Sequence, residues 1–374
     1  MEYIDLKEKI LDVKREILAG VNLSNFLRLI LQNHFRISLP YIPRFLYSLS
    51  MGCIIGPFRL IEHLKFYKKI EETKIRYPPL FLLGHWRSGT TYLHNLLSQD
   101  KQFGFFSTYH AFLPGCFFVG ENIFKPIVRA SLPKKRPMDD VDMDVDLPQE
   151  EEYAVGGLSK YSYYHGWCFP QNMEYYNRFV CFKGVPDSSI EEWKKIYLFL
   201  LKKETFLWDG RRLLLKNPAN TSRVKLLLEM FPNAKFVHIC RNPYDLYFSM
   251  IRFMRTVIPL YCIQIPPPFE EVEELMMKLY VEMHQRYFLD RQLIPDGSLV
   301  EIRYEDFIDN PLGEVRKIYE GLNLKNFSAN EGVFRRYIAA QREIKTHRYK
   351  LTEEVRSKVS SRWGFVFKEF GYEL

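Results

Sequence analysis

No two cysteines in this chain stand at a CxxC or zinc-ligand spacing. The six fall singly at 53, 116, 168, 181, 240 and 262, mostly among apolar neighbours. The expectation is reduced, buried thiols in a reducing compartment, not a disulfide framework or a zinc site. A secretory leader is missing as well, because the first twenty residues are charged and amphipathic. No early apolar run reaches the roughly 20 residues that cross a bilayer. The longest, Phe45 to Phe58, stops at 14. Internal repeats and low-complexity segments are absent, and Lys and Arg are scattered without a nucleic-acid motif. These absences predict a cytoplasmic protein, soluble or peripheral to a membrane, with no nucleic-acid partner.

What is present is an ordinary globular balance, with 47% hydrophobic and 26% charged residues over 374 positions. That length suits one large domain or two modest ones. Aromatics reach 16%, with 30 Phe and 24 Tyr, enough to fill a core and also line a cavity for an apolar ligand. A formal net charge of +8 favours an anionic ligand or an anionic membrane surface.

Residues 1–76 read as helical and amphipathic, broken by Pro40, Pro43 and Pro57, with Arg28, Arg36, Arg44 and Arg59 set among Leu, Ile and Phe. Two readings stay open: helices packed on the domain, or an interfacial surface lying on lipid. From Tyr77 onwards short apolar runs alternate with helical periods. Leu80–Leu83 precedes a helix from Thr90, and Leu213–Leu215 precedes one near Thr221. Lys235–Cys240 precedes a helix from Tyr244, and Leu299–Tyr304 one opening at Pro311. Such alternation predicts βαβ units, hence an α/β fold whose parallel sheet is flanked by helices. Residues 103–200 read as an irregular insertion, and residues 270–293 as a long amphipathic helix. The expected domains are therefore a helical region over 1–76 and a main domain over 77–374.

One stretch carries chemistry directly. Residues 80–93 read Leu-Phe-Leu-Leu-Gly-His-Trp-Arg-Ser-Gly-Thr-Thr-Tyr-Leu. An apolar strand, a glycine-flanked turn and a helix start place backbone N–H groups and a positive dipole end where an anion can sit. The spacing from Gly84 to Gly89 nearly matches the GxxxxGK[ST] phosphate loop, but Thr90 stands where that loop has Lys. The cation comes earlier, at Arg87. This weakens a small-molecule kinase as the alternative; a non-catalytic, membrane-associated binding module is a further one.

The run Gly-His-Trp-Arg-Ser-Gly-Thr-Thr-Tyr-Leu resembles the 5′-phosphosulfate loop of sulfotransferases that use 3′-phosphoadenosine-5′-phosphosulfate (PAPS), in particular a bacterial lipid-type branch that writes Arg-Ser-Gly-Thr-Thr. A second segment, Phe236 to Ser249, is similar to the family's 3′-phosphate element, with Arg241 at a strand end and Ser249 in the next helix. A third, Arg303-Tyr-Glu-Asp through Pro311, is similar to its Tyr-Glu-Asp element. The resemblance implies a P-loop-like fold, PAPS as co-substrate and adenosine 3′,5′-bisphosphate as product, with no metal. It places donor binding on Arg87, Ser88, Gly89, Thr90, Thr91, Arg241, Ser249 and Tyr304, and the insertion 103–200 on the acceptor side.

Sulfuryl transfer also needs cations on the leaving phosphate and a base for the acceptor hydroxyl. Arg87 and Lys216 answer the first need, since Lys216-Asn-Pro resembles the family's lysine-bearing strand end. The second stays open. Cytosolic relatives keep a His two residues after that Lys, where this chain has Pro218. Glu150, Glu151 and Glu152 resemble an acidic segment of the lipid-type branch, although an ordinary acidic helix start would look the same. His110 is the other choice, while His85 and His165 read as structural. The run Asp140, Asp142, Asp144, Asp146 departs from a calcium loop, because Val145 occupies the place that calls for Gly and Pro133 and Pro137 precede it where a helix would lead in. The acceptor is read as a hydroxyl compound, with a lipid or other amphiphile favoured by the aromatic load.

Overall fold

The computed structural model describes residues 2–138, 141–341 and 350–374. The chain folds into two compact units. One comprises residues 76–105, 211–252 and 274–374; the other, whose regular elements among the described residues are helices, comprises residues up to 75, 106–210 and 253–273.

The first unit is built on five strands: β1 (Leu80–Leu83), β2 (Phe103–Gly104), β3 (Arg212–Lys216), β4 (Lys235–Cys240) and β5 (Leu299–Arg303). Their order across the sheet is β2-β3-β1-β4-β5, and all four pairings are parallel. Parallel strands are covered on both faces, so they are written as apolar runs and not as alternating ones. Every residue of β1 is buried. One face packs Leu80, Leu82, Leu214, Val237 and Ile239 against Leu93, Leu96 and Leu97 of the helix Thr90–Leu97. On the other, Phe81 stacks on Phe236 at 5.6 Å. The helix Glu353–Phe370 closes the unit, its Trp363 lying 3.7 Å from the ring of Tyr280.

The register fixes where loops emerge. The chain leaves β1 towards β2 on one side, and leaves the neighbouring β4 towards β5 on the other. A crevice opens at the carboxyl ends of two such strands, and α/β folds bind ligands there.

The helical unit contains the helix Ile42–Glu72, 31 residues long. Pro43 and Pro57 predict breaks in this segment, but the helix runs through them. Pro43 lies in the first turn, where an amide proton has no helical partner anyway. Pro57 lies inside the helix on its exposed side, and the packed face opposite carries the helix past it. The uninterrupted helix is long and apolar enough to cross a membrane by length and composition, unlike the 14-residue run within it. The insertion, read as irregular, contains several helices, among them Glu151–Leu158 and Asp187–Leu207.

The buried face of Ile42–Glu72 carries charge. Arg44 donates to the carbonyls of Cys262 at 2.9 Å, Pro259 at 3.0 Å and Lys9. Glu62 pairs with Lys203 of the helix Asp187–Leu207 and accepts the amides of Phe118 at 2.7 Å and Val119 at 3.0 Å. Lys203 also donates to Pro114 O at 2.6 Å and lies 3.8 Å over the Phe117 ring. Burial holds its ammonium below the ordinary lysine range. All cysteines of the chain are free; Cys116, Cys168, Cys240 and Cys262 are buried as expected, whereas Cys53 is exposed.

Removing one member of the Glu62–Lys203 pair strands the other. Glu62→Ala leaves a buried ammonium and two buried amides, and should cost about 3–5 kcal/mol of unfolding free energy. Lys203→Met leaves a carboxylate still held by two N–H groups and should cost less. The double variant should lose less than the two single losses added together. Denaturant unfolding of the three variants checks this ranking, and strict additivity would show the two residues to be uncoupled.

Candidate functional site

The loop between β1 and the helix Thr90–Leu97 is wound tightly. Its Ser88 N–H and Ser88 hydroxyl both donate to His85 O, at 3.1 and 2.7 Å. Gly84 and Gly89 sit at φ of 146° and 97°, where a side chain is strained. A Cβ at Gly89 would fall 2.4 Å from Tyr304 Cδ2, so the absence of a side chain lets that ring close on the loop. Arg87 is also left-handed, at φ 71°, which costs a residue bearing Cβ about 1–2 kcal/mol. The distortion turns its side chain towards the neighbouring strand end.

Arg87 Nε donates to Ser249 Oγ at 3.0 Å, and Arg241 Nη1 donates to Arg87 O at 2.9 Å. The Arg241 guanidinium lies 4.4 Å over the ring of Tyr304. Three of its environment's elements are thus fixed by strand ends: Arg87 follows β1, Arg241 follows β4 and Tyr304 follows β5. Arg241 Nε is buried and has no hydrogen-bond partner in the protein. A guanidinium nitrogen left in this state favours an anion beside it. Burial raises the Tyr304 phenol, while Arg241 and Arg87 beside it pull the other way; the ring stays neutral at physiological pH.

Lys216 ends β3, buried, with its Nζ 3.5 Å from Thr91 Oγ1 in the first turn of the helix Thr90–Leu97. The helix N-terminus, Arg87 and Lys216 therefore concentrate positive charge around one loop. His85 does not add to it. Burial pushes its imidazole down to about 4, so it is uncharged at neutral pH.

All eight expected donor residues and Lys216 thus belong to the first unit, with Arg87, Arg241, Ser249, Gly89 and Tyr304 in mutual contact or one residue removed. Two further residues shape this site and were not singled out from sequence. Thr221 accepts the Gly84 amide on its hydroxyl at 2.8 Å and so holds the loop's entrance. Glu305 accepts the Asn242 amide at 2.9 Å and the Tyr372 hydroxyl at 2.7 Å, fixing the turn that carries Arg241. The Lys216-Asn-Pro and Tyr-Glu-Asp segments pointed at both neighbourhoods, but which side chain braces which amide depends on the fold.

The residues considered as a base all lie in the helical unit. Glu150 precedes the helix Glu151–Leu158, is half-buried and accepts the Tyr164 hydroxyl. Glu151 accepts the Tyr197 hydroxyl at 2.9 Å, and the fully buried Glu152 accepts Ser162 Oγ at 2.8 Å. His110 Nδ1 lies 3.2 Å from Glu204 Oε1, and the ring stacks on Phe117 at 4.6 Å. His165 is buried, its pKa lowered by that burial to about 4. A cleft in this unit is walled by Phe112, Tyr153, Tyr164, His165 and the glycines 156 and 157. The acidic run after Pro137 serves ion pairs: Asp146 meets Lys125 at 2.8 Å and Arg129 at 2.7 Å, while Asp140 lies outside the described residues.

Comparison with known proteins agrees with this architecture. The structure superposes on the crystal structures of sulfotransferase STF1 from Mycobacterium tuberculosis and STF9 from Mycobacterium avium, with TM-scores of 0.62 and 0.63, each at 18% identity. The first match covers 92% of both chains, the second 95% of this chain and 98% of the other. At that identity the likeness is one of fold. In sequence, the chain is 31% identical over 355 residues to the omega-hydroxy-beta-dihydromenaquinone-9 sulfotransferases Stf3 of Mycobacterium bovis and Mycobacterium tuberculosis, covering 95% of this chain and 91% of theirs. Residues 78–328, which hold the loop, Lys216, Arg241, Ser249 and Tyr304, match the model of the sulfotransferase family, and to that family the chain belongs.

Proposed function

We propose that this sulfotransferase takes the sulfuryl group from PAPS and places it on the hydroxyl of a lipid alcohol. The observation that carries the donor assignment is the cluster of Arg87, Arg241 and Ser249 at a helix N-terminus, with Arg241 Nε buried and unpartnered. That cluster and Lys216 beside Thr91 offer cations for a nucleotide bearing phosphates at both its 3′ and 5′ ends. In this reading Arg241 and Ser249 hold the 3′-phosphate, Tyr304 meets the adenine, and Ser88 to Thr91 cradle the 5′-phosphosulfate. Thr90 in place of the phosphate-loop lysine removes the group that a triphosphate would need.

The acceptor oxygen forms its bond to sulfur as the bond from sulfur to the 5′-phosphate oxygen breaks, and that oxygen keeps the electron pair. Charge therefore grows on the leaving phosphate, and Lys216, Arg87 and the first-turn amides meet it without reorganising. The acceptor's proton passes to a base. Glu150 is the carboxylate we favour, because it is half-buried while Glu151 and Glu152 are fully enclosed.

The acceptor class is drawn from the mycobacterial relatives, named for an omega-hydroxylated dihydromenaquinone acceptor, and from this chain's aromatic load of 16%.

Calorimetry tests the donor assignment. Adenosine 3′,5′-bisphosphate should bind without magnesium and ATP with magnesium should not. Arg241→Ala should weaken the bisphosphate by about 1.5–3 kcal/mol and leave adenosine 5′-phosphosulfate, which lacks the 3′-phosphate, nearly unaffected. Equal losses for both ligands would remove Arg241 from that role.

Lys216→Met should lower kcat about 10²–10³-fold with a smaller change in donor affinity, since its charge acts on developing charge. An unchanged kcat would leave the leaving group to Arg87 alone.

Glu150→Gln should keep donor affinity, lower kcat by about 10²–10⁴ and flatten one limb of the pH–rate profile. Full activity there, with the loss appearing instead in Glu152→Gln or His110→Gln, would move the base to that residue.

A further inference from the structure

The outward face of the helix Ile42–Glu72 is apolar. Ile42, Leu46, Ile54, Leu60, Ile61 and Leu64 are all exposed, Leu64 at 75%. Their spacing of four, eight, six, one and three residues keeps them on one side of the helix. Between Ile42 and Leu64, which span about 33 Å, no exposed Asp, Glu, Lys or Arg falls on this helix. The preceding segment adds Leu27, Leu31, Phe35 and Leu39, the last 81% exposed. Single exposed leucines are ordinary, but a run of this length on successive helical turns marks an interaction surface.

The charge on the same segment narrows the partner. Residues 22–70 contain seven basic residues and one acid, Glu62. That acid is buried against Lys203. Arg28 and Arg36 precede the long helix, and Lys65, Lys68 and Lys69 lie in its last two turns, all exposed. An apolar stripe bounded by cations at both ends fits an anionic lipid surface. A second copy of the chain fits less well, because a two-fold contact through this face would set its flanking cations against one another, and the nearest exposed acids, Glu71 and Glu72, lie past the stripe, Glu71 already paired with Lys202.

The length of the helix would permit it to span a bilayer, but its reverse side forbids this. Arg44 is held by three carbonyls, and Glu62 by Lys203 and two amides, within the helical unit. Spanning would strip those partners away and carry the charges into hydrocarbon. We propose that the helix lies in the membrane plane, its Ile42–Leu64 face sunk into the headgroup boundary of an anionic bilayer and its flanking cations on lipid phosphates. This assignment is independent of which donor the enzyme uses.

Sedimentation of the full chain with vesicles of phosphatidylglycerol and phosphatidylcholine tests it. The protein should bind these vesicles at low salt, bind pure phosphatidylcholine less, and be released as ionic strength rises. Replacing Leu46, Leu60 and Leu64 together by Glu should weaken vesicle binding about tenfold or more while leaving the melting temperature and adenosine 3′,5′-bisphosphate binding unchanged. Lys65, Lys68 and Lys69 replaced by Gln should remove the preference for anionic vesicles and keep the fold, which tests the charge term should the leucine variant fail to fold. Failure to sediment at any salt overturns the proposal. So does a dimer in solution that the leucine substitutions dissociate, which would give the face to a second copy, or retention in membranes after alkaline extraction, which would make the helix a span. Bisphosphate binding is read in the same samples, so loss of the membrane idea and loss of the transferase reading are told apart.

Discussion

All five strands run in one direction, and that constraint decides where this protein can do chemistry. Parallel strands deliver their carboxyl ends to a single edge, so whatever follows β1, β3, β4 and β5 is brought to that edge without any further device. Arg87, Lys216, Arg241 and Tyr304 occupy those places, though over 200 residues of sequence separate the first from the last. Gathering cations at a helix N-terminus is unfavourable in the absence of an anion, since like charges and the dipole end repel. The protein tolerates this because bracing groups hold each cation: Ser249 on Arg87, the Arg87 carbonyl and the Tyr304 ring on Arg241. An anion beside them would relieve that repulsion.

The helical unit follows the opposite arrangement from an ordinary surface helix. Along Ile42–Glu72, Arg44 and Glu62 are buried, while Ile42, Leu46, Ile54, Leu60, Ile61 and Leu64 are exposed. Buried charge specifies position more than it stabilises, because only one register of neighbouring carbonyls, amides and Lys203 satisfies it.

How much of this was legible in the sequence depended on whether a signal was local. The strands were, because burial on both faces writes them as unbroken apolar runs such as Leu80–Leu83 and Lys235–Cys240. The loop was, because tight winding demands glycine at 84 and 89. The two-residue β2 was not, since pairing with β3 through Phe103 and Gly104 leaves no periodicity to read. Nor was the continuity of Ile42–Glu72 through Pro57, because a proline's local penalty is visible in sequence while the tertiary packing that outweighs it is not. Thr221 and Glu305 escaped for a related reason. Each acts by accepting a backbone amide far away in the chain, and no spacing rule links Glu305 to Tyr372 or Thr221 to Gly84.

Pro57 has one more effect. It has no amide proton to offer the carbonyl of Cys53, four residues earlier, and both residues are on exposed positions of the long helix. A carbonyl without a helical donor must find water or another polar group, and dry acyl chains offer neither. If this face meets a bilayer as proposed, that carbonyl would favour the hydrated level of glycerol and ester groups over the acyl interior, so Pro57 would work against deep immersion.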